Sequence, residues 1–254
     1  MCNVLRLGVA MCFIGHGACG IITKPIWCNY FAVFGIGHDH AYQLMPWVGS
    51  FDILLGVITL IYPIRVIPAW LVFWGILTAL LRPLSGEPFA EFIERTGNFG
   101  TPLMLLGLVG FDLGNRKRWF TRIVPSRHAD SWTIEKISMG LRIVVFLLLA
   151  GHGWLYIIHK KSLMDQLHAI HVDNAFVIAS TLGLFEITAA FFVLLKPVRS
   201  LILILLFWKM ASELFYPKYE LFEWIERGGS YASLLALWII THQRSKPFSG
   251  IHVG

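Results

Sequence analysis

Charged residues are scarce in this chain, and its few cysteines are confined to the beginning. Only 14% of the 254 residues are Asp, Glu, Lys or Arg, whereas soluble globular domains have about 25%. The cysteines contain no CxxC pair, so their spacing predicts no structural zinc site. We interpret them as small apolar side chains in or beside a helix, and a Cys19–Cys28 disulfide stays open. They are Cys2, Cys12, Cys19 and Cys28.

Several short catalytic motifs are also missing from the sequence. It contains no P-loop, no GxSxG, no HExxH and no CxxCH. These absences argue against a P-loop nucleotide site, a serine hydrolase of the nucleophile-elbow type, a zinc metalloprotease and a c-type haem attachment site.

Apolar residues are abundant and occur in long continuous runs. The chain is 56% hydrophobic and has a mean hydropathy of +0.66. Several runs reach about 18–22 residues, which is the helix length that crosses about 30 Å of hydrocarbon. Because the runs are continuous and do not alternate, they predict helices and no β-barrel. We predict an all-α polytopic membrane protein with eight transmembrane helices, at 4–22, 44–63, 65–83, 97–113, 137–157, 174–196, 198–216 and 229–242.

The distribution of basic residues predicts the orientation in the membrane. Both termini and the even-numbered connections carry most of the lysines and arginines, so they are predicted to be cytoplasmic. The location is then the cell (inner) membrane. The basic segment 115–136 is interpreted as an orientation signal and linker, and no nucleic-acid partner is inferred from the positive charge. The basic residues on this side are Arg6, Arg65, Arg116, Lys117, Arg118, Arg122, Arg127, Lys136, Lys196, Arg199, Arg244 and Lys246. The opposite side has Lys24, Arg95, Lys160, Lys161, Lys218 and Arg227.

The two halves of the chain resemble each other. "LRLGVAMCFIGHG" at 5–17 matches "LRIVVFLLLAGHG" at 141–153, and "FWGILTALLRP" at 73–83 matches "FWKMASELFYP" at 207–217. Two further blocks match in the same order. We predict a tandem duplication, with a four-helix repeat at 1–114, a linker at 115–136 and a second four-helix repeat at 137–254. Four spans are an even number, so the repeats are parallel.

Four ionisable residues inside predicted spans occur in both halves. His16 corresponds to His152, and Asp52 corresponds to Glu186. Buried ionisable groups in a membrane face the bundle or water and need partners. The histidines are candidate metal or haem ligands or proton carriers, or hydrogen-bonded structural residues. The carboxylates are candidate proton sites or structural ion pairs, with the histidines and the nearby lysines as partners.

Lysines and arginines near these groups are also repeated. Lys24 corresponds to Lys160, and Arg95 to Arg227 within the blocks "EFIERTGN" and "EWIERGGS". The blocks predict short amphipathic helices on the membrane surface or solvated helix caps. Alternatively, the arginines extend to Asp52 and Glu186 and close a polar cluster.

Some polar residues in the predicted spans occur in one half only. Lys209 and Glu213, spaced four apart, predict an ion pair, and Arg82 at a span end predicts a snorkelling side chain.

The loops after the first span of each half carry histidine pairs that could bind a transition metal, or be plain surface residues. The candidate metal ligands are His38, His40, His168 and His171.

Each half resembles the DoxX-like membrane family. The resemblance lies in "LRLG…GHG…K", with Arg6, His16 and Lys24, and in the acidic residue of "GSFD" and "GLFE". It covers nearly all of the chain as two tandem copies. Some members are subunits of a thiosulfate:quinone oxidoreductase, which implies proton handling at a quinone or cofactor pocket by the repeated histidines and carboxylates. The fused double unit and the histidine-containing loops depart from the family pattern.

Three functions remain open at this stage. The first is a redox-linked membrane protein that holds a quinone, a haem or a metal near the outer face, with a redox partner subunit. The second is a transporter of a small solute or metal ion, for which a duplicated fold with a central polar site is suitable. The third is a non-catalytic accessory subunit in which the repeated polar residues only join helices.

Overall fold

The protein is all-helical. The computed structural model describes residues 1–111, 114, 116–123, 130–215 and 220–244, and in these ranges it has no β-strand, only an isolated bridge between Ile64 and Arg122. The α-helices are α1 (Cys2–Ile21), α2 (Trp27–Ala32), α3 (His38–Ile61), α4 (Val66–Leu84), α5 (Ala90–Glu94), α6 (Thr96–Val109), α7 (Ser131–Ile157), α8 (Lys161–Ala169), α9 (Ala175–Leu195), α10 (Arg199–Ser212), α11 (Glu220–Glu226) and α12 (Gly228–Arg244).

A helix lies at each of the eight predicted positions, namely α1, α3, α4, α6, α7, α9, α10 and α12. Among the described residues, four of these helices are long and apolar enough to cross a membrane: α1, α3, α4 and α9. A fifth joins them if α7 and α8, bent by 78°, form one span. Helices α6 and α10 have 14 residues each, or about 21 Å at 1.5 Å per residue. The helical membrane character is therefore supported, and the eight-span topology stays a prediction.

Large apolar side chains cover the outside of the long helices. Trp47 on α3 is 77% exposed, Leu195 at the end of α9 is 76% exposed, and Phe207 on α10 is 63% exposed. A water-soluble protein would bury many of these groups. Contact with the lipid bilayer accounts for this exterior.

Glycines allow the first two long helices of each half to pack closely. A Cβ atom on Gly17 would lie 2.4 Å from the carbonyl oxygen of Gly49, and one on Gly153 would lie 2.6 Å from that of Gly183. Helix α1 therefore lies directly on α3, and α7 lies directly on α9. Small residues at such crossings are typical of membrane helix pairs.

The two halves interlock through their final helices. Helix α1 packs on α11 and α12, and α7 packs on α5 and α6. A Cβ atom on Gly8 would meet Ala232, and one on Gly100 would meet Val144. The sequence match pairs Gly8 with Val144 and Gly100 with Ala232, so the two contacts are reciprocal. The duplication itself stays a prediction.

Two arginines of the predicted cytoplasmic side bind helix ends. Arg6 donates to the carbonyl oxygens of Thr59 and Leu60, and Arg65 donates to those of Val109 and Gly110. These carbonyls lie at the C-termini of α3 and α6, where cations are favourable. The orientation remains a prediction. Arg127, Lys218 and Lys246, which entered that argument, lie outside the described residues.

Candidate functional site

The first half contains a buried imidazole–carboxylate pair. His16 on α1 and Asp52 on α3 are 2.7 Å apart, from Nδ1 to Oδ2. Asp52 has no exposed surface, whereas the His16 side chain is 14% exposed. The close approach of α1 to α3 at Gly17 brings the two side chains within hydrogen-bond reach. Asp52 therefore fixes the orientation of the ring.

The second half repeats this pair in a more closed environment. His152 on α7 and Glu186 on α9 are 2.7 Å apart, and only 3% of the His152 side chain is exposed. Glu186 also accepts a hydrogen bond of 2.6 Å from the indole N–H of Trp208. The predicted pairing of each carboxylate with its histidine is confirmed by these distances.

The glycines beside the histidines serve helix packing. A Cβ atom on Gly15 would lie 2.3 Å from the backbone nitrogen of Glu226, and one on Gly151 would lie 2.4 Å from that of Glu94. Each Gly-His-Gly thus lets two backbones approach one helix, on either side of the imidazole. Residues 15–20 also spell G-x-G-x-x-G, but they lie inside α1 and do not form the strand-to-helix turn of a dinucleotide site.

The repeated Glu-Arg pairs cross between the halves. Arg95 donates to Glu226 at 2.8 Å, and Arg227 donates to Glu94 at 2.6 Å. Each arginine is the single residue between two helices, α5 and α6 or α11 and α12. All four residues are buried. The arginines thus bind glutamates of the other half, and their predicted approach to Asp52 and Glu186 stays a prediction.

The repeated lysines cross in the same way. Lys24 forms an ion pair with Glu223, and Lys160 forms one with Glu91. The prediction that they partner Asp52 and Glu186 is therefore wrong. Burial and, to a lesser extent, Arg82 lower the pKa of Lys160 to about 8, although Glu87 acts in the opposite direction.

These ion pairs fall into several charge-balanced groups, which together are called the charge network between the halves. It has six carboxylates and six cations, so the formal charges balance, and a buried network of this kind needs such balance. Its members are Lys24, Arg82, Glu87, Glu91, Glu94, Arg95, Lys160, Lys209, Glu213, Glu223, Glu226 and Arg227.

The network corrects two expectations and confirms a third. The short helices α5 and α11 exist, but Glu91, Glu94 and Glu226 on them are buried, so these helices are neither surface-lying amphipathic segments nor solvated caps. Arg82 does not snorkel, because it lies 3.3 Å from both Glu87 and Glu91. The predicted ion pair between Lys209 and Glu213 is confirmed at 2.6 Å.

A cavity of about 120 Å³ opens beside His16. Aromatic rings form much of its wall, including those of Trp27 and Trp74. The His16 ring packs on Trp27 with 4.7 Å between centroids. Arg95 and Asn98 supply polar groups to the same cavity. An engineered apolar cavity of about 150 Å³ binds benzene, so there is room for one small ring.

Polar atoms at this cavity are left without hydrogen bonds. Asn98 is 5% exposed, and its Oδ1 has no hydrogen-bond partner in the protein. Trp74 Nε1 and Asp52 Oδ1 also lack a partner with hydrogen-bond geometry. Buried polar atoms are rarely left unpaired. The cavity thus presents an acceptor, a donor and an imidazole to a ligand.

The two imidazoles do not face each other across the molecule. Helices α6 and α12 each contact both α1 and α7, and each histidine binds the carboxylate of its own half. A ligand shared by His16 and His152 therefore has no support in this geometry.

The predicted metal residues lie at exposed positions. His38 and His40 belong to the first turn of α3, not to a loop, while His168 lies in α8 and His171 follows it. His171 Nδ1 is 3.4 Å from the His168 carbonyl oxygen. In the described ranges, no three His, Cys, Asp or Glu side chains form a group that could hold a metal ion. The pairs remain two-ligand fragments.

The cysteines are free thiols. Cys12, Cys19 and Cys28 are buried, and Cys2 is partly buried. The Cys19–Cys28 disulfide that the sequence left open is absent from the structure.

Asn98 and Arg82 are the site residues that sequence reasoning missed. Asn98 directly follows the "ERTG" of the first repeated block, where the second half has Ser230. Trp27 and its neighbours lie on α2, a short helix that the apolar runs did not predict. A polar residue at the start of the predicted span 97–113 was the available signal for Asn98.

No family model, curated protein or solved structure matches this chain. The resemblance of each half to the DoxX-like family therefore stays a prediction that rests on the short motifs. The site is interpreted below from its own geometry.

Proposed function

We propose that this chain is an integral membrane protein of DoxX-like type that binds a quinone-like ring in the cavity beside His16. The proposal places it in the inner membrane, with eight spans and cytoplasmic termini. The observation that carries it is the cavity itself: aromatic walls, the His16–Asp52 pair, and the unpaired Asn98 oxygen on one small space.

The residues fit a quinone head group in size and chemistry. Such a ring is flat and apolar, with carbonyl oxygens that accept hydrogen bonds. Trp27 and Trp74 offer flat apolar surfaces, while Arg95 and His16 offer N–H donors. A porphyrin is larger than this cavity, so haem is not part of the proposal.

His16 and Asp52 have the arrangement of a proton-exchanging pair. One ring nitrogen is bonded to Asp52, and the other is not used in that bond. The imidazole can exchange a proton at the cavity through the nitrogen that is not bonded to Asp52, as a general acid or base. A bound quinone would accept protons on its oxygens and electrons from a separate donor. That donor is a redox partner subunit in this proposal.

Binding of a short-chain ubiquinone to the purified protein in nanodiscs tests the proposal. We expect His16→Ala and Asp52→Asn to weaken binding by about 10–100-fold, since a hydrogen bond involving a charged group contributes about 1.5–3 kcal/mol. His152→Ala and Glu186→Gln are matched controls that should leave binding unchanged. Equal losses in all four variants, or no binding to the unaltered chain, would refute it.

The same purified protein distinguishes the other functions. Uptake of a solute into proteoliposomes that Asp52→Asn abolishes would indicate a transporter. A folded chain that binds no quinone and transports no solute, but co-purifies with a stoichiometric protein, would indicate an accessory subunit.

A further inference from the structure

We infer that the second half holds a sealed counterpart of the His16 cavity, closed by the side chains of Lys209 and Glu213. The chain then has one ligand site, although its sequence carries the imidazole–carboxylate pair twice. The ligand count rests on the proposed function. The sealing itself is a statement about access to the two histidines and does not depend on the ligand.

The sequence match pairs the sealing residues, one on α10 and one directly after it, with small residues on α4. In "FWGILTALLRP" and "FWKMASELFYP", Trp74 corresponds to Trp208. One residue later, Gly75 corresponds to Lys209, and four residues beyond that Ala79 corresponds to Glu213. Both small residues are on α4, the helix that supplies Trp74 to the cavity wall.

The side chains of Lys209 and Glu213 are buried and form ion pairs inside the second half. Lys209 has no exposed surface and Glu213 is 1% exposed. Lys209 Nζ lies 2.6 Å from Glu213 and 3.5 Å from Glu94, and Glu213 lies 3.5 Å from Arg227. By the sequence match, Glu94 and Arg227 are the counterparts of Glu226 and Arg95, which line the His16 cavity. The ion pair of Lys209 and Glu213 therefore lies against the counterparts of two cavity-wall residues.

The groups around His152 leave less room and fewer unpaired atoms than the groups around His16. Trp208 donates its indole N–H to Glu186 at 2.6 Å, whereas Trp74 Nε1 makes no such bond to Asp52. The side chain of His152 is 3% exposed, against 14% for His16. The second pair is thus satisfied by the protein, while the first has capacity left for a ligand.

Removing the ion pair should open the second half with little electrostatic cost. The double substitution Lys209→Gly and Glu213→Ala removes one charge of each sign. Glu94 keeps its 2.6 Å bond from Arg227. The reverse double substitution, Gly75→Lys and Ala79→Glu, should fill the first cavity with a pair that this fold already accommodates. A Cβ atom on Gly75 would lie 3.1 Å from the backbone carbonyl oxygen of Asn98, so a small local shift is needed.

Chemical modification of the histidines by diethyl pyrocarbonate, mapped by mass spectrometry, tests the sealing without any ligand. In the unaltered protein we expect His16 to be modified and His152 to be protected until unfolding. The opened variant should expose His152, and the filled variant should protect His16. Phe73→Leu, on the exposed face of α4, is the control and should change neither histidine.

Short-chain ubiquinone titration then tests the ligand count. We expect one site in the unaltered chain, two in the opened variant and at least a tenfold loss of affinity in the filled variant. Equal modification of His16 and His152 in the unaltered chain would overturn the inference, as would an opened variant that folds and keeps His152 protected. If the histidines respond as expected but no variant binds ubiquinone, the proposed function fails and the sealing stands.

Discussion

Replacing Glu94 with glutamine should destabilise the protein strongly. Its carboxylate is 1% exposed, accepts a 2.6 Å hydrogen bond from Arg227 and lies 3.5 Å from Lys209. The glutamine keeps the shape and loses the charge. Arg227 and Lys209 then each lose one carboxylate partner and keep that of Glu213.

The size of the effect follows from burial. Breaking a buried ion pair by removing one partner costs about 3–5 kcal/mol. For a chain of this size about 1 kcal/mol corresponds to about 2–4 °C, so the thermal midpoint should fall by roughly 6–20 °C. The exposed pair of Lys161 and Asp165, at 2.7 Å on α8, is the matched control. Lys161→Met should cost only about 0–1 kcal/mol.

Thermal unfolding in one detergent, followed by circular dichroism, measures both variants. The loss of unfolding free energy in the double variant E94Q/R227M should be about 0.5–3 kcal/mol smaller than the sum of the losses in the two single variants, because the two residues share one bond. A Glu94→Gln midpoint no lower than that of Lys161→Met would refute the reasoning. Strict additivity in the double variant would show that the 2.6 Å contact carries no coupling.

Three further outcomes are expected. Gly15→Ala should lower the free energy of unfolding by about 1–3 kcal/mol, because its Cβ would lie 2.3 Å from the backbone nitrogen of Glu226. Gly37→Ala is the control: its Cβ has open space, so the same thermal assay should show little change. Burial raises the pKa of Glu87, but Arg82 and the Tyr30 hydroxyl outweigh it and hold the pKa below its usual 4.5. The stability that Glu87 contributes is therefore present above about pH 4.5 and is lost as the pH falls through the lower folded-state value, so the difference from Glu87→Gln should shrink in acid; a difference that grows would contradict this. Buried Cys28 should react with a thiol reagent only on unfolding, and its labelling in the folded protein would contradict the burial.

The long helices were predictable because their signal is local. Continuous apolar runs gave a helix at all eight positions, and boundaries moved by a few residues where polar residues extend a helix. Helix α7 begins at Ser131 rather than 137, where Asp130 accepts a hydrogen bond from the Thr133 backbone N–H. Helix α3 begins at His38, within a segment that was read as a loop.

The sequence analysis did not predict the short helices α2 and α8, so it missed the part of the site that α2 supplies. Neither segment has the length or the apolar continuity of a span, so the criterion that found the long helices could not find them. Helix α2 places Trp27 against His16. The aromatic wall of the cavity therefore became visible only in the folded chain.

The sequence by itself determined the helical membrane character and the repeated histidines and carboxylates, because apolar runs and residue spacing are local signals. The tertiary structure alone decided where the Glu-Arg blocks and the lysines lie and which of the two sites is open. Arg95 finds its carboxylate 131 residues away, and no local pattern encodes a partner at that distance. A charge is stable inside a protein only with a partner in place, so its burial is a property of the assembled fold.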